Sequence, residues 1–380
     1  MFGSGKGADG ISANYTANEN SVNTKGTLQQ PYYWNKTYNS SAKTGAWQKL
    51  TYSTYSLDNI IAVGGDGTND WNRNGVSVSN PALSNQVIDY SKFNRQGANK
   101  GIGTITSTGI VKIGGYKLKI TNSYELQKGK SFIIMKTIVK NIDAKKRTVK
   151  NLRFWTGTQD DYIAGDDANS KSRGNFIDGV YKEVRNPKQQ AKVVKIFNGT
   201  AGIYFYSISP KADTIISTRY KLKELLATAP FSHIRRVHTD GSYAIYMRLN
   251  DLAYGKSESF TVYYAAGALK ELDALALDVS KAAETGKIIH KNKTTTFKEN
   301  NFKDKNTYSK IKITTLPKHG VLKIFGDPLV VNQTVVNIDY KNMTYTPDKN
   351  YMGKDEFHWQ GFLGYGNYTA KLNTILNIVK

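Results

Sequence analysis

Apolar residues fall at every second position in segment after segment of this chain, as in Lys117-Leu118-Lys119-Ile120-Thr121 and Ala244-Ile245-Tyr246-Met247-Arg248-Leu249. A spacing of two sends alternate side chains to opposite faces of an extended backbone, so such segments read as half-buried strands. Segments of similar composition, rich in Val, Ile, Tyr, Phe and Thr, run over 109–113, 116–120, 131–140, 149–156, 201–207, 213–218, 242–249 and 259–264, separated by Gly, Asn, Asp or Lys clusters. Gly114-Gly115, between two of them, predicts a tight hairpin, because both positions of such a turn need positive φ. Many short antiparallel strands joined by polar turns predict an all-β chain built around a large antiparallel β-sandwich.

Helical pattern is confined to two places. Residues 221–227 have room for two turns, and residues 268–284 place Leu269, Leu272, Ala276, Val279 and Ala283 on one face, with Gly286 as a stop. The 380 residues exceed what one core ordinarily supports, and the pattern divides them. Residues 1–30, rich in Gly, Ser, Asn and Thr, are expected to form a flexible arm; 31–267 the sandwich; 268–287 a connecting helix; and 288–380 a separate immunoglobulin-like domain.

The last block carries a recognisable set of residues: Leu316-Pro317-Lys318-His319-Gly320-Val321-Leu322, then 335–338, then Met343-Thr344-Tyr345-Thr346-Pro347-Asp348-Lys349-Asn350-Tyr351-Met352-Gly353-Lys354-Asp355-Glu356-Phe357. It resembles the cadherin-like, immunoglobulin-type domains repeated in bacterial surface proteins. The resemblance implies a seven-stranded sandwich acting as a spacer or adhesion module on a cell surface or a virion. Tyr345, Tyr351, Phe357 and Trp359 supply the apolar face such a sandwich needs.

Cysteine is absent, which excludes disulfides, thiolate metal sites and thiol nucleophiles. Five histidines lie far apart, without the spacing of a histidine metal site. Fifty-three Lys and Arg against 30 Asp and Glu leave a net charge of +23, spread over both parts of the chain. No nucleic-acid-binding module with interleaved aromatics accompanies it, so no specific nucleic-acid partner is expected. Neither a transmembrane segment nor a signal peptide is legible, so assembly in a cytoplasm or a signal-independent exit is expected.

Three motifs bear on chemistry. Gly64-Gly65-Asp66-Gly67-Thr68 resembles the phosphate-binding signature of lipid and NAD kinases, yet the turn-rich Asp70–Gly75 stretch after it is no helix former, so it reads as a glycine-rich loop of a β-protein. Asp160, Asp161, Asp166 and Asp167 crowd into eight residues; hard oxygen donors at this density suit Ca²⁺, and the same carboxylates suit a glycosidase, while the bland reading pairs them with Lys171 and Arg173 at the surface. Tyr32, Tyr33, Trp34, Tyr38, Trp47, Tyr52 and Tyr55 cluster among Asn, Ser and Thr, where planar rings either stack on sugars or fill the core.

These features predict a non-enzymatic structural or adhesive surface protein, a virion exterior component (capsid-associated, decoration or fibre) or a cell-surface-layer protein or adhesin, partnered by copies of itself or by other surface or virion proteins. The alternative is a secreted β-sandwich protein that binds or cleaves glycans.

Overall fold

The structure is a computed structural model and describes residues 3–5, 8–10, 22–29, 31–35, 46–53, 55–65, 75–95, 101–127, 129–163, 165, 167–177, 179–209, 211–218, 234–283, 287–302, 307–369 and 371–379. The helix expected at 221–227 lies outside them. The chain divides into two compact units, Met1–Ala283 and Glu284–Lys380. Among the described residues both are all-β apart from one α-helix and short 3-10 turns.

In the first unit β1 (Gly3–Gly5), β2 (Ala8–Gly10), β3 (Tyr32–Asn35) and β4 (Ala46–Lys49) form a small sheet in the order β2-β1-β3-β4. The chain continues through β5 (Asp58–Gly64), β6 (Val76–Ser79), β7 (Ser84–Arg95), β8 (Gly101–Ile113), β9 (Tyr116–Leu126) and β10 (Phe132–Asn141). Next come β11 (Arg153–Thr158), β12 (Ser170–Ile177), β13 (Val180–Glu183), β14 (Val193–Phe197), β15 (Ala201–Tyr206) and β16 (Ala212–Ser217). The unit closes with β17 (Arg236–His238), β18 (Ser242–Arg248), β19 (Ser257–Ala268) and helix α1 (Leu272–Ala283).

Two of its sheets are large and antiparallel. One runs β13-β12-β14-β15-β19-β10-β9-β8-β7 with β17 added on β12, and the other runs β16-β18-β11-β5-β6. The main core joins side chains from both, among them Ile61, Phe154, Ile245 and Met247 from the smaller sheet and Leu118, Ile120, Val139 and Phe260 from the larger. This is the predicted large sandwich. Alternation explains it strand by strand: in β9 every second residue from Leu118 to Leu126 is buried and the intervening ones are not. The Gly114-Gly115 hairpin forms as expected, with φ of 54° and 76°.

Helix α1 does not stand free as a connector. Leu272, Leu275, Ala276 and Val279 pack with Phe132, Val193, Tyr204, Tyr263 and Ala265 of the larger sheet, so the helix belongs to the first unit. The expected N-terminal arm is also built in, through the pairing of β1 with β3 and at residues 22–28. Val22 and Leu28 join the main core, and the Gly26 carbonyl accepts from Asn122 Nδ2 at 2.9 Å and from the Tyr124 hydroxyl at 2.7 Å, anchoring the loop on β9. Polar composition hid this because the loop is held by hydrogen bonds from a strand about a hundred residues later, not by an apolar stripe of its own.

The second unit comprises β20 (Lys287–His290), β21 (Thr295–Thr296), β22 (Lys310–Thr315), β23 (Gly320–Ile324), β24 (Asp327–Pro328), β25 (Thr334–Val336), β26 (Met343–Pro347), β27 (Gly353–Gly364), β28 (Asn367–Tyr368) and β29 (Leu372–Val379). They make two sheets, β20-β29-β27-β22-β25 with β28 on β27, and β21-β26-β23-β24. Phe297, Phe302, Tyr345, Phe357 and Trp359 fill the core between them. The Leu-Pro-x-His-Gly turn and the Tyr345 strand converge on Asp355, whose buried carboxylate accepts the N–H groups of Lys318 and His319 at 2.9 Å each and the Tyr345 hydroxyl at 2.8 Å. The His319 ring lies flat on Tyr351, centroids 4.2 Å apart. No helix among the described residues is long and apolar enough to cross a membrane.

Candidate functional site

Thr158 at the end of β11 lies opposite Tyr243 at the start of β18, so the loop leaving the first and the loop entering the second meet at one edge of the smaller sheet. The Asp161 N–H donates to the Gly241 carbonyl at 2.9 Å, and the Thr239 N–H donates to the Asn169 carbonyl at 3.3 Å. The segment after β4 joins them: Thr51 forms an isolated bridge with Asp161, and the Tyr52 N–H donates to the Asp160 carbonyl at 3.4 Å. The Thr158 hydroxyl also donates to the Asp160 carbonyl, at 2.8 Å. Three stretches distant in sequence are thus laced through backbone groups, which fixes the side chains they carry.

The four sequence-predicted aspartates have separate fates. Asp161 is fully buried, and both its oxygens accept from Lys171 Nζ, at 3.0 and 2.9 Å, with Lys171 equally buried. Burial pushes the Asp161 carboxyl up to about 7 while the Lys171 ammonium pulls it back. The surface pairing weighed for this loop is therefore a buried one: Lys171 also donates to the Thr239 carbonyl and ties β12 to both loops. Arg173 turns away from the loop and pairs with Asp213 at 2.7 Å. Asp167 is exposed, and Asp166 lies outside the described residues. Among the described residues no group of three or more His, Asp or Glu side chains is set to hold a metal ion. The cation that meets Asp161 is an ammonium.

Asp160 is the chemically distinctive member. Burial, the charge of the neighbouring Asp240, side-chain hydrogen bonding with it and the Asp167 charge together push its carboxyl up to about 6, with Lys171 opposing. Asp240 has no local sequence signal; it stands 80 positions from Asp160 and is brought to it by the β11–β18 pairing. Two residues before it, His238 Nδ1 lies 2.9 Å from the Ser170 hydroxyl.

Aromatic rings stand on the segments laced to Asp160. Tyr52 and Tyr55 are 41% and 53% exposed, their rings stacked at 6.5 Å, and Tyr162 meets Tyr52 edge-on at 5.8 Å. The rest of the early aromatic cluster divides: Tyr33 is core, and Tyr38 lies outside the described residues. Close by, the Tyr243 hydroxyl is 2.8 Å from that of Tyr264, which itself donates to the Leu50 carbonyl at 3.1 Å, so Tyr243 is the donor between them. Burial raises both phenols well above their ordinary value. Of the glycine-rich 64–68 motif, residues 66–68 lie outside the described residues; β5, which ends at Gly64, pairs antiparallel with β6 and β11, and the Gly65 N–H donates to the Gly75 carbonyl at 3.1 Å.

No family model matches this chain, and no curated protein does. Among solved structures it is similar to an α-mannosidase from Enterococcus faecalis V583 (11% identity, 86% of this chain and 41% of that chain, TM-score 0.36). It is also similar to a polysaccharide lyase (11% identity, 88% and 43%, TM-score 0.32) and to a GH36 α-galactosidase from Geobacillus stearothermophilus (8% identity, 62% and 32%, TM-score 0.29). The chain spans less than half the length of each of these three.

Proposed function

We propose that the first unit is a carbohydrate-binding β-sandwich whose ligand sits against Tyr52 and Tyr55 and is gripped by the Asp160–Asp240 carboxyl pair. The observation that carries this reading is the lacing of the exposed Tyr52 and Tyr55 segment, through the Tyr52 N–H on the Asp160 carbonyl, to a partly buried carboxyl with Asp240 as its neighbour. Phenol rings offer the apolar face on which the C–H face of a pyranose packs, and adjacent carboxyl oxygens accept from neighbouring sugar hydroxyls. Below about pH 6 the Asp160 proton adds a donor, so its carboxyl serves hydroxyls as both acceptor and donor.

Residues 284–380 would serve as a spacer or adhesive module, the role their cadherin-like resemblance implies, and the protein would work at a cell or virion surface.

A glycan array followed by calorimetry on the best hit tests this. Tyr52→Ala and Asp160→Ala are each expected to weaken binding by roughly tenfold or more, as the loss of a stacked ring or of a carboxyl hydrogen bond does. Affinity should also fall as pH rises through about 6, where Asp160 loses its proton. An array without hits, or variants that bind as well as wild type, sinks the reading; release of reducing sugar would make the protein an enzyme.

A further inference from the structure

A second surface of the first unit has no role in that site. On β8, β9 and β10 the residues alternating with the core point outward, and the register places lysines directly opposite lysines: Lys112 faces Lys117, and Lys119 faces Lys140. Lys112, Lys119 and Lys140 are exposed and Lys117 half-exposed, and among the described residues none of the four has an ion-pair partner. Lys145 stands exposed in the turn that follows β10, where the Ile142 N–H donates to the Lys117 carbonyl at 3.0 Å. The carboxylate of that turn, Asp143, is buried and taken by Arg147 at 2.7 Å. Along these strands Asp89 sits opposite Thr106 and Glu125 opposite Thr104, four and six residues from the Lys119 row, or about 14 and 20 Å at strand spacing.

Like charges directly opposite each other destabilise a strand pair. A sheet that carries two such pairs side by side, with nothing to neutralise them, presents a concentrated positive field to solvent. We infer that this lysine face of β8, β9 and β10 binds an acidic polysaccharide. The choice of a glycan over another polyanion rests in part on the carbohydrate reading of the first unit; the positive face itself does not. Three observations favour it. On the same outward face, beyond Ile110 opposite Lys119 and beside Ile138 opposite Thr121, stand Thr106, Thr108, Thr121 and Ser123, whose hydroxyls pair across the strands at 3.1 to 3.3 Å and remain able to meet sugar hydroxyls. No aromatic ring stands among them for a base to stack on, as single-stranded nucleic acid requires. The surface is the flat face of a sheet, without a helix or ribbon to enter a duplex groove. Lysines act here as point charges on carboxylates or sulfates spaced along a polymer lying on the strands.

The test is binding of the full chain to polygalacturonate and to heparin at low salt, compared with a variant carrying Lys112→Gln, Lys117→Gln, Lys119→Gln and Lys140→Gln. Wild type is expected to bind at least one of the two polymers and to weaken steeply with added salt; the variant should lose roughly tenfold or more. Its melting temperature should stay level or rise, since like-charge pairs are removed, which separates lost binding from lost fold. Asp160→Ala is run alongside and should keep polymer binding, so failure of the carbohydrate site and failure of this face read out separately. Two results overturn the inference: neither polymer binding, or the lysine variant binding as well as wild type. A DNA duplex bound more tightly than both polymers overturns it too, and makes the face a nucleic-acid surface.

Discussion

Lys171 and Arg173 are the residues at which a sequence reading of this chain misleads. Both are charged, both are next to an acidic loop, and both are fully buried, Lys171 closed by Asp161 and the Thr239 carbonyl, Arg173 by Asp213, the Thr214 hydroxyl and the carbonyls of Pro187 and Gln189. Burial is tolerable because each charge is paired and its remaining donors are used. The same crowding raises Asp160 and Asp161 above the ordinary carboxylate range of 3.8, to about 6 and about 7. The folded protein then holds protons that the unfolded chain releases from about pH 4 upward, so these groups stabilise the fold most at low pH and lose that contribution as pH rises from about 4 to 7. Urea unfolding of wild type and Asp160→Asn across this window should show wild type losing stability relative to the variant as pH increases. Parallel profiles would mean that Asp160 is already ionised at low pH.

At the level of strands, legibility followed alternation. The segments expected at 131–140, 201–207, 213–218 and 242–249 appear as Phe132–Asn141, Ala201–Tyr206, Ala212–Ser217 and Ser242–Arg248, and the helix expected over 268–284 as Leu272–Ala283 after one 3-10 turn at Leu269–Glu271. Strand β7 (SNQVIDYSKFNR) was not legible, because it is an edge strand whose backbone pairing, not apolar side chains, keeps it extended. Close packing between strands is equally invisible in one dimension. Gly157 in β11 has no room for a side chain: a Cβ there would lie 2.1 Å from the Tyr243 carbonyl oxygen and 2.7 Å from the Ala244 Cα, both backbone atoms of β18. Gly157→Ala should therefore cost about 1–3 kcal/mol in urea unfolding, as overpacking does. Gly199→Ala, where nothing lies within 4 Å, should stay within about 0.5 kcal/mol of wild type.

For the whole molecule, the division into Met1–Ala283 and Glu284–Lys380 leaves each unit a core of its own. Residues 284–380 expressed alone should fold. Trp359, the single tryptophan of that unit, is 2% exposed with its indole N–H on the Thr374 hydroxyl, so the fragment should show shielded tryptophan fluorescence and a cooperative melt. A red-shifted, non-cooperative fragment would show that this core depends on the rest of the chain. Sequence alone determined what is local: which stretches extend, where the Gly114-Gly115 hairpin turns, the helix before the second unit, and the all-β class. Those follow from side-chain period and turn chemistry over a few neighbouring residues. Tertiary structure alone decided the meeting of Asp160 with Asp240, the burial of Lys171 on Asp161, the docking of Val22 and Leu28, and the alignment of Lys119 with Lys140. Each depends on strand register between residues tens of positions apart or more, or on the packing of distant segments, and a strand's own composition does not say which neighbour it will pair with or at what offset.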